Sequence, residues 1–267
     1  MKSVEKYIVE YRSLNLDAVV DYNKFNEYAI TAHSTQIEGS TLTEEETSLL
    51  IDEGITPKGK PLEHSLMVTD HHKALKLVLK LAAEDNSIEP ETISVINAQV
   101  MASTGKTYNT ALGTIDSSKG ELRKGQVYVS KRYFPNYQKV PQLLDELCET
   151  INEKIKIVGS TIEKLHLSYS AHFNLVSIHP HYDGNGRTSR LLMNLLQSRF
   201  NLPLGIVHKE DKLEYYDALE KSRKEDSIEP FNEFMESQYK KQLRNEIEKY
   251  REQIEKKDKG MGMSFLY

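Results

Sequence analysis

The sequence predicts an all-α protein, mainly a helical bundle, carrying one small β-hairpin. Apolar residues recur at helical spacing in segment after segment, and several of these segments open on a capping residue. Only one stretch, Lys119 to Tyr133, alternates as a strand pair does. No Gly/Ser/Pro-rich linker divides the 267 residues. The expected organisation is a helical extension over 1–100, a core over 101–230, and a closing helix with its tail over 231–267.

Asp21 to Ile37 reads as a helix with Phe25, Tyr28, Ala29 and Ala32 on one face, and Gly39 supplies the residue just past its end. Thr43 and Glu46 have the spacing of a capping box, opening a helix that Gly54 closes. Pro61 and Pro90 fall where a first helical turn tolerates the missing N–H. In the hairpin, Gly120 and Gly125 punctuate a chain whose β run is Val127-Tyr128-Val129, and Pro135 and Pro141 end it. Val140 to Ile157 and Thr161 to Ile178 follow the 3.6-residue period. Pro180 disfavours helical backbone at the residue before it, so the second of these helices ends near His179. Arg187 to Phe200 is helical again, with Leu191, Leu192, Leu195 and Leu196 as its apolar face. The words Ser-Ile-Glu-Pro at 87–90 and 227–230 mark two helix starts, too short to be a repeat. Phe231 to Lys257 is amphipathic on Phe234, Leu243, Ile247 and Ile254, and Lys256 to Tyr267 has too little apolar content to promise order.

The chemistry concentrates in one loop. His179 to Arg190 reads His-Pro-His-Tyr-Asp-Gly-Asn-Gly-Arg-Thr-Ser-Arg. It delivers the chain into a helix N-terminus, whose unpaired N–H groups and partial positive charge make an anion site. Gly184 and Gly186 let backbone approach a phosphate, and Arg187 and Arg190, at i and i+3, face the same anion. Asp183 is the lone carboxylate, suited to Mg²⁺ that arrives already bound to substrate phosphates. His179, with an ordinary pKa of roughly 6.5, accepts a proton from an attacking hydroxyl. Together these argue for transfer of part of a nucleotide to an –OH group. Upstream, Ser34 and Glu38 in Ser34-Thr-Gln-Ile-Glu38-Gly39 lie one turn apart on the same side of a helix end. A carboxylate there sits at the negative end of the helix dipole and is better placed beside a cation.

The segment from His179 to Arg190 resembles the signature of Fic-domain proteins, His-Pro-Phe-x-Asp/Glu-Gly-Asn-Gly-Arg-x-x-Arg, with His181 in place of the usual packing Phe. The resemblance implies a helical bundle with one β-hairpin, and transfer of AMP from ATP to a hydroxyl of a target protein. It makes His179 the general base, Asp183 the Mg²⁺ ligand, and Gly184, Asn185 and Gly186 the anion hole. Arg187 and Arg190 lie on the phosphates, and Thr188 and Ser189 between them count with the nucleotide-binding stretch. Gly186, where the phosphorylating Doc-type branch carries Lys, favours nucleotidyl over phosphoryl transfer. Ser34 to Gly39 resembles the family's inhibitory motif, in which Glu38 pairs with Arg190 and keeps the γ-phosphate from it; some relatives use this Glu to remove AMP. Lys119 to Tyr133, within 119–135, resembles the flap that docks a target segment by strand pairing, with Val127, Tyr128, Val129 and Ser130 lining the nucleotide side. Tyr215 and Tyr216 match an aromatic pair near the nucleotide base, while Arg223 replaces an Asn that commonly contacts ribose.

Other features narrow the function. Gly105-Lys106-Thr107 is no P-loop, because the first Gly would have to be Val100. His64, His71 and His72 are scattered on a helix and make no metal site. The net charge of −5 with no basic stripe disfavours nucleic acid. No run approaches about twenty apolar residues, no signal segment stands at the N-terminus, and one cysteine, Cys148, excludes an internal disulfide. The expectation is a cytoplasmic protein without a membrane partner, acting on ATP and a protein substrate, with homodimerisation open as a mode of control. The rival readings are an AMP-removing enzyme in which Glu38 positions water, a nucleotide-sensing module without catalysis, and transfer of another nucleotide or phosphocholine by the same loop.

Overall fold

The computed structural model describes residues 3–16, 20–129 and 132–258. Ten helices are present among them: α1 (Val4–Ser13), α2 (Val20–Ile37), α3 (Glu44–Glu53), α4 (Leu62–Glu84), α5 (Pro90–Val100), α6 (Val140–Ile155), α7 (Thr161–Ile178), α8 (Asn185–Arg199), α9 (Lys212–Lys224) and α10 (Glu229–Asp258). The predicted capping box is formed: Thr43 Oγ1 accepts from the Glu46 N–H and the Glu46 carboxylate accepts from the Thr43 N–H. Gly54, at φ 70°, closes α3 in the left-handed conformation. Pro90 is the first residue of α5, and Pro61 caps α4.

Helix α8 is the axis of the fold. It packs on α7, α4, α5 and α2, and Leu191, Leu192, Leu195 and Leu196 have no exposed surface. Each buried leucine contributes roughly 1.5–3 kcal/mol, which offsets the cost of the polar residues the same helix buries. One apolar cluster joins α4 to α8; a second joins α1, α7, α9 and α10 through Tyr11, Tyr169, Phe231 and Tyr239.

Two hairpins are present where one was expected. The unforeseen one pairs β1 (Thr107–Thr110) with β2 (Gly113–Asp116). Its turn, Ala111-Leu112, carries none of the usual turn residues; Gly113, at φ 104°, supplies the reversal. The predicted hairpin is shorter than Lys119 to Tyr133. Only β3 (Tyr128–Val129) and β4 (Arg132–Tyr133) pair, in the register Tyr128↔Tyr133 and Val129↔Arg132. The stretch before Tyr128 is not a strand, because Ser117–Lys119 is a 3₁₀ turn and the Arg123 N–H bonds the Pro180 carbonyl instead of a partner strand. Gly120 is obligatory at φ 66°, since a Cβ there would lie 2.0 Å from the Ser94 carbonyl oxygen. Ser130 and the tail from residue 259 lie outside the described residues.

Candidate active site

The loop between α7 and α8 is fixed from three directions. His179 ends α7 in the left-handed region, at φ 55° and ψ 61°. Such a conformation costs about 1–3 kcal/mol in a non-glycine residue and persists where the surroundings enforce it. Arg123, only 2% exposed, enforces it. Its guanidinium donates to the carbonyls of His179 at 2.8 Å, Gly125 at 3.0 Å and Pro135 at 2.5 Å. The cation thereby sits at the negative end of α7 and binds the base of the hairpin to the loop. Asn185 closes the loop on itself, accepting from the His181 N–H at 3.0 Å and donating to the His181 carbonyl at 2.9 Å. Asn97 of α5 donates to the Asp183 carbonyl at 3.0 Å and to Thr188 Oγ1 at 3.1 Å. Gly184, at φ 78°, has no room for a Cβ, which would lie 2.7 Å from that Asn97 amide nitrogen.

His181, in place of Phe, is a buried packing ring. Its Nδ1 lies 3.2 Å from the Glu121 carbonyl, and burial pushes its pKa down to about 4. The neutral ring donates to that carbonyl and fills the space.

The imidazole of His179 stacks on Phe134, with ring centroids 3.9 Å apart, and Arg132 lies over the other ring at 4.5 Å from its centroid. Burial, then the charges of Arg123 and Arg132, push the His179 pKa down to about 3. At pH 7 the ring is neutral and holds a lone pair that can take a proton. Across the loop, the first-turn N–H groups of α8, those of Asn185, Gly186 and Arg187, have no intrahelical acceptor, an arrangement suited to an anion. Asp183 stands at its rim, with 49% of its side chain exposed. Its Oδ1 accepts from the Gly184 N–H at 2.6 Å and lies 3.4 Å from Arg187 Nη2. Both contacts use one oxygen, so the other is available to a cation, and the residue fits a Mg²⁺ ion whose remaining ligands come from phosphates and water.

The two arginines differ. Arg187 is buried, with Nη2 at 3.2 Å from the Met101 sulfur and with Nε and Nη1 lacking partners among the described residues. Arg190 is held: Nε donates to Ser34 Oγ at 2.9 Å, and Nη2 donates to the Ser34 carbonyl at 2.9 Å and to Glu38 Oε1 at 2.7 Å. Burial pulls the Glu38 pKa up, but the Arg190 charge holds it below the ordinary carboxylate value. Glu38 reaches over the start of α8 because position 186 is Gly; a Cβ there would lie 2.5 Å from its carboxylate oxygen.

The remaining predicted residues divide. Thr188 and Ser189 turn into the core: Thr188 is held by Asn97, and Ser189 donates to the Asn185 carbonyl at 2.8 Å. Neighbouring helical residues point apart, and the arginines at i and i+3 share the other face, Arg187 beside Asp183 and Arg190 on Glu38. Tyr215 and Tyr216 separate likewise. Tyr215 is buried with its hydroxyl 2.9 Å from His172 Nε2, while Tyr216 is 40% exposed. Val127 and Tyr128 lie at the hairpin, where the Phe134 N–H donates to the Val127 carbonyl at 3.4 Å. Arg123, Asn97 and Phe134 were not foreseen, and neither was the Tyr182 ring stacked on Tyr108 of β1 at 4.6 Å.

A helical bundle with this loop at its centre defines the Fic fold, and the comparisons agree. The chain matches the Fic/DOC family model over residues 87–197. It is 31% identical over 204 residues to a protein adenylyltransferase Fic of Drosophila melanogaster, an alignment covering 76% of this chain and 38% of that relative. A Fic-domain signaling protein of Bacteroides thetaiotaomicron superposes with a TM-score of 0.79 at 21% identity, covering 92% of this chain and 96% of that one. Fic-1 of C. elegans does so with a TM-score of 0.74 at 24% identity, covering 93% and 71%. Residues 87–197 form a Fic/DOC-family domain. The chain spans well under half the length of the curated Drosophila relatives it matches.

Proposed function

We propose that the protein is a self-inhibited adenylyltransferase that moves AMP from ATP to a Ser, Thr or Tyr hydroxyl of a target protein or of itself. The observation that carries this is the clamp of Ser34 and Glu38 on Arg190, beside an open helix N-terminus and a neutral His179. The target hydroxyl gives its proton to His179 as its oxygen bonds the α-phosphorus. The bond from that phosphorus to the bridging oxygen breaks, and pyrophosphate leaves. The N–H groups of Asn185 and Gly186, with Arg187, meet the developing charge, and electrostatic preorganisation of this kind is usually the largest catalytic contribution. Asp183 would hold Mg²⁺, which neutralises phosphate charge when bound. The hairpin, with Tyr128 and Tyr133 outward, offers a strand edge to a target segment. The inhibited state follows from Arg190: while Glu38 occupies it, the γ-phosphate has no cation there. ATP then sits without its α-phosphorus aligned. No helix among the described residues is long and apolar enough to cross a membrane.

One observation favours a second reading. The Glu38 side chain keeps 30% of its surface exposed beside the anion site, where a carboxylate can also position water to release AMP from a modified target.

The test is intact mass spectrometry with ATP and Mg²⁺ on the unaltered protein, Glu38→Gly, and Glu38→Gly with His179→Ala. One added AMP in Glu38→Gly alone is expected. No adduct in any of the three shifts the assignment to AMP removal, measured on a pre-modified target.

A further inference from the structure

Behind the inhibitory helix lies a group of ligating side chains that the transfer chemistry does not use. His33 immediately precedes Ser34 on α2. It faces His208 and Glu210, which lie at the 3₁₀ turn opening α9. One ligand atom from each of the three lies within 4.8 Å of the others, and the imidazoles meet edge to face with centroids 4.9 Å apart. Both histidines are more than nine-tenths buried. His208 Nε2 has no hydrogen-bond partner among the described residues, a costly state for a buried polar atom unless something fills it. Beside it, His33 Nε2 stands 3.1 Å from a carboxylate oxygen of Glu44. This is the outer-shell arrangement that fixes a metal-bound imidazole, one ring nitrogen donating to a carboxylate while the other is left for the ion. His33 Nδ1 lies 4.0 Å from the Glu210 carboxylate and at present accepts from the Lys209 N–H at 3.1 Å. Binding requires that N–H to turn aside and the ligand atoms, now within 4.8 Å of one another, to close to the roughly 3.3 Å separation that bonds of about 2.0–2.1 Å set around a tetrahedral ion.

We propose that His33, His208 and Glu210 bind a Zn²⁺-type divalent ion, with solvent in the fourth position, and that the ion fastens the end of α2 to the body of the protein. The donor set of two imidazoles and one carboxylate suits zinc and not Mg²⁺ or Ca²⁺. The far side of the clamp is already rigid: the His208 N–H donates to Gln238 of α10 at 2.9 Å, and Asp211 pairs with Lys241 at 2.6 Å. The near side is the turn that presents Ser34 and Glu38 to Arg190. An ion here opposes the movement that frees Arg190, and this consequence rests on the inhibitory reading above.

The site is tested without reference to AMP transfer. Zn²⁺ is titrated calorimetrically into the full chain after chelator treatment, and into His208→Ala, Glu210→Gln and Glu44→Gln. One ion per chain is expected, with binding lost in His208→Ala, weakened in Glu210→Gln, and weakened about tenfold or more in Glu44→Gln, an outer-shell change. Glu210 is exposed, so its variant keeps the fold. Amide exchange of residues 28–38 is then followed with Zn²⁺ and with chelator. Slower exchange with Zn²⁺, absent in His208→Ala, is the expected result. Equal binding by all four proteins, or no zinc effect on α2, overturns the proposal. If zinc binds and slows α2 while no variant transfers AMP, the site stands and the adenylyltransferase reading fails.

Discussion

The loop from His179 to Arg190 and the hairpin from Tyr128 to Tyr133 meet where His179 stacks on Phe134, and they are built on opposite principles. In the loop, His179, Asp183 and Asn185 are tied through backbone or side chain to Arg123, Asn97 or His181, and most side chains are buried. The hairpin has two ladder pairs and presents Tyr128 and Tyr133 at 67% and 74% exposure. Reacting groups need placement to a fraction of an ångström, whereas a docking edge recognises backbone and gains from remaining generic. Substitutions in the loop are therefore expected to change rate, and substitutions in the hairpin to change little.

The largest effect belongs to His179→Ala. Loss of a positioned general base costs about 10²–10⁴-fold in rate, read as AMP incorporation in a Glu38→Gly background. Unchanged thermal unfolding is the control, because the backbone contact through Arg123 does not need the imidazole. Retained transfer would remove the base assignment. Next comes Glu38→Gly alone. Hydrogen bonds between charged groups are worth about 1.5–3 kcal/mol, so freeing Arg190 should raise transfer roughly ten- to hundredfold. It should also lower stability, since a buried guanidinium loses its counter-charge. Faster transfer accompanied by a lower unfolding midpoint separates a released brake from a general improvement in folding.

Arg123→Met tests what joins the two regions. It strips the carbonyls of His179, Gly125 and Pro135 of a donor, and each unsatisfied buried carbonyl costs about 1–3 kcal/mol. A loss of about 3 kcal/mol in urea unfolding is expected, with transfer falling in the Glu38→Gly background. A variant as stable as the parent would mean that the hairpin and the loop are held independently.

Most of the helices, and the loop itself, were legible because their signals are local. A capping box spans four residues, Pro180 acts on its neighbour, and the Gly-Asn-Gly run sets its own turn. What was not legible depends on distant partners. Arg123 reads as a surface residue, and only the carbonyls gathered at the end of α7 bury it. Asn97 acts on Asp183 from 86 residues away. The hairpin at Thr107 to Asp116 lacked both alternation and turn residues. Its one signal was Gly113. The pairing of Glu38 with Arg190 spans 152 residues and was reached through resemblance, since spacing within the sequence holds no trace of it; the part of Ser34 in holding Arg190 was not foreseen.

Acid should weaken the fold through its buried histidines. His179, His181 and His208 have an ordinary value of 6.5 and are held at about 3, 4 and 4 in the fold. Their folded values lie below the unfolded one, so the unfolded chain binds more protons as pH falls beneath about 6.5. Stability then declines, by up to about 1.4 kcal/mol per pH unit for each ring, until the folded values are reached. Urea midpoints at pH 7, 6 and 5 measure the fall, and His181→Phe should flatten its share. An unchanged slope in that variant would mean that His181 takes up its proton equally in the folded and unfolded states over this range.

The smallest expected effect lies in the hairpin. Tyr128 and Tyr133 face each other across the ladder with ring centroids 5.8 Å apart, an exposed pair worth about 0.2–1 kcal/mol. Replacing both by Ser should shift global stability by no more than about 0.5 kcal/mol, because no core side chain leans on them. If the hairpin docks targets by its backbone, the kcat of the Glu38→Gly protein on a target should hold, with KM rising a few-fold from the lost apolar contact. A fall in kcat instead would mean that the tyrosines help place the hydroxyl against His179. The hairpin would then share the positional demands of the loop, and the contrast between the two regions would narrow to one of burial alone.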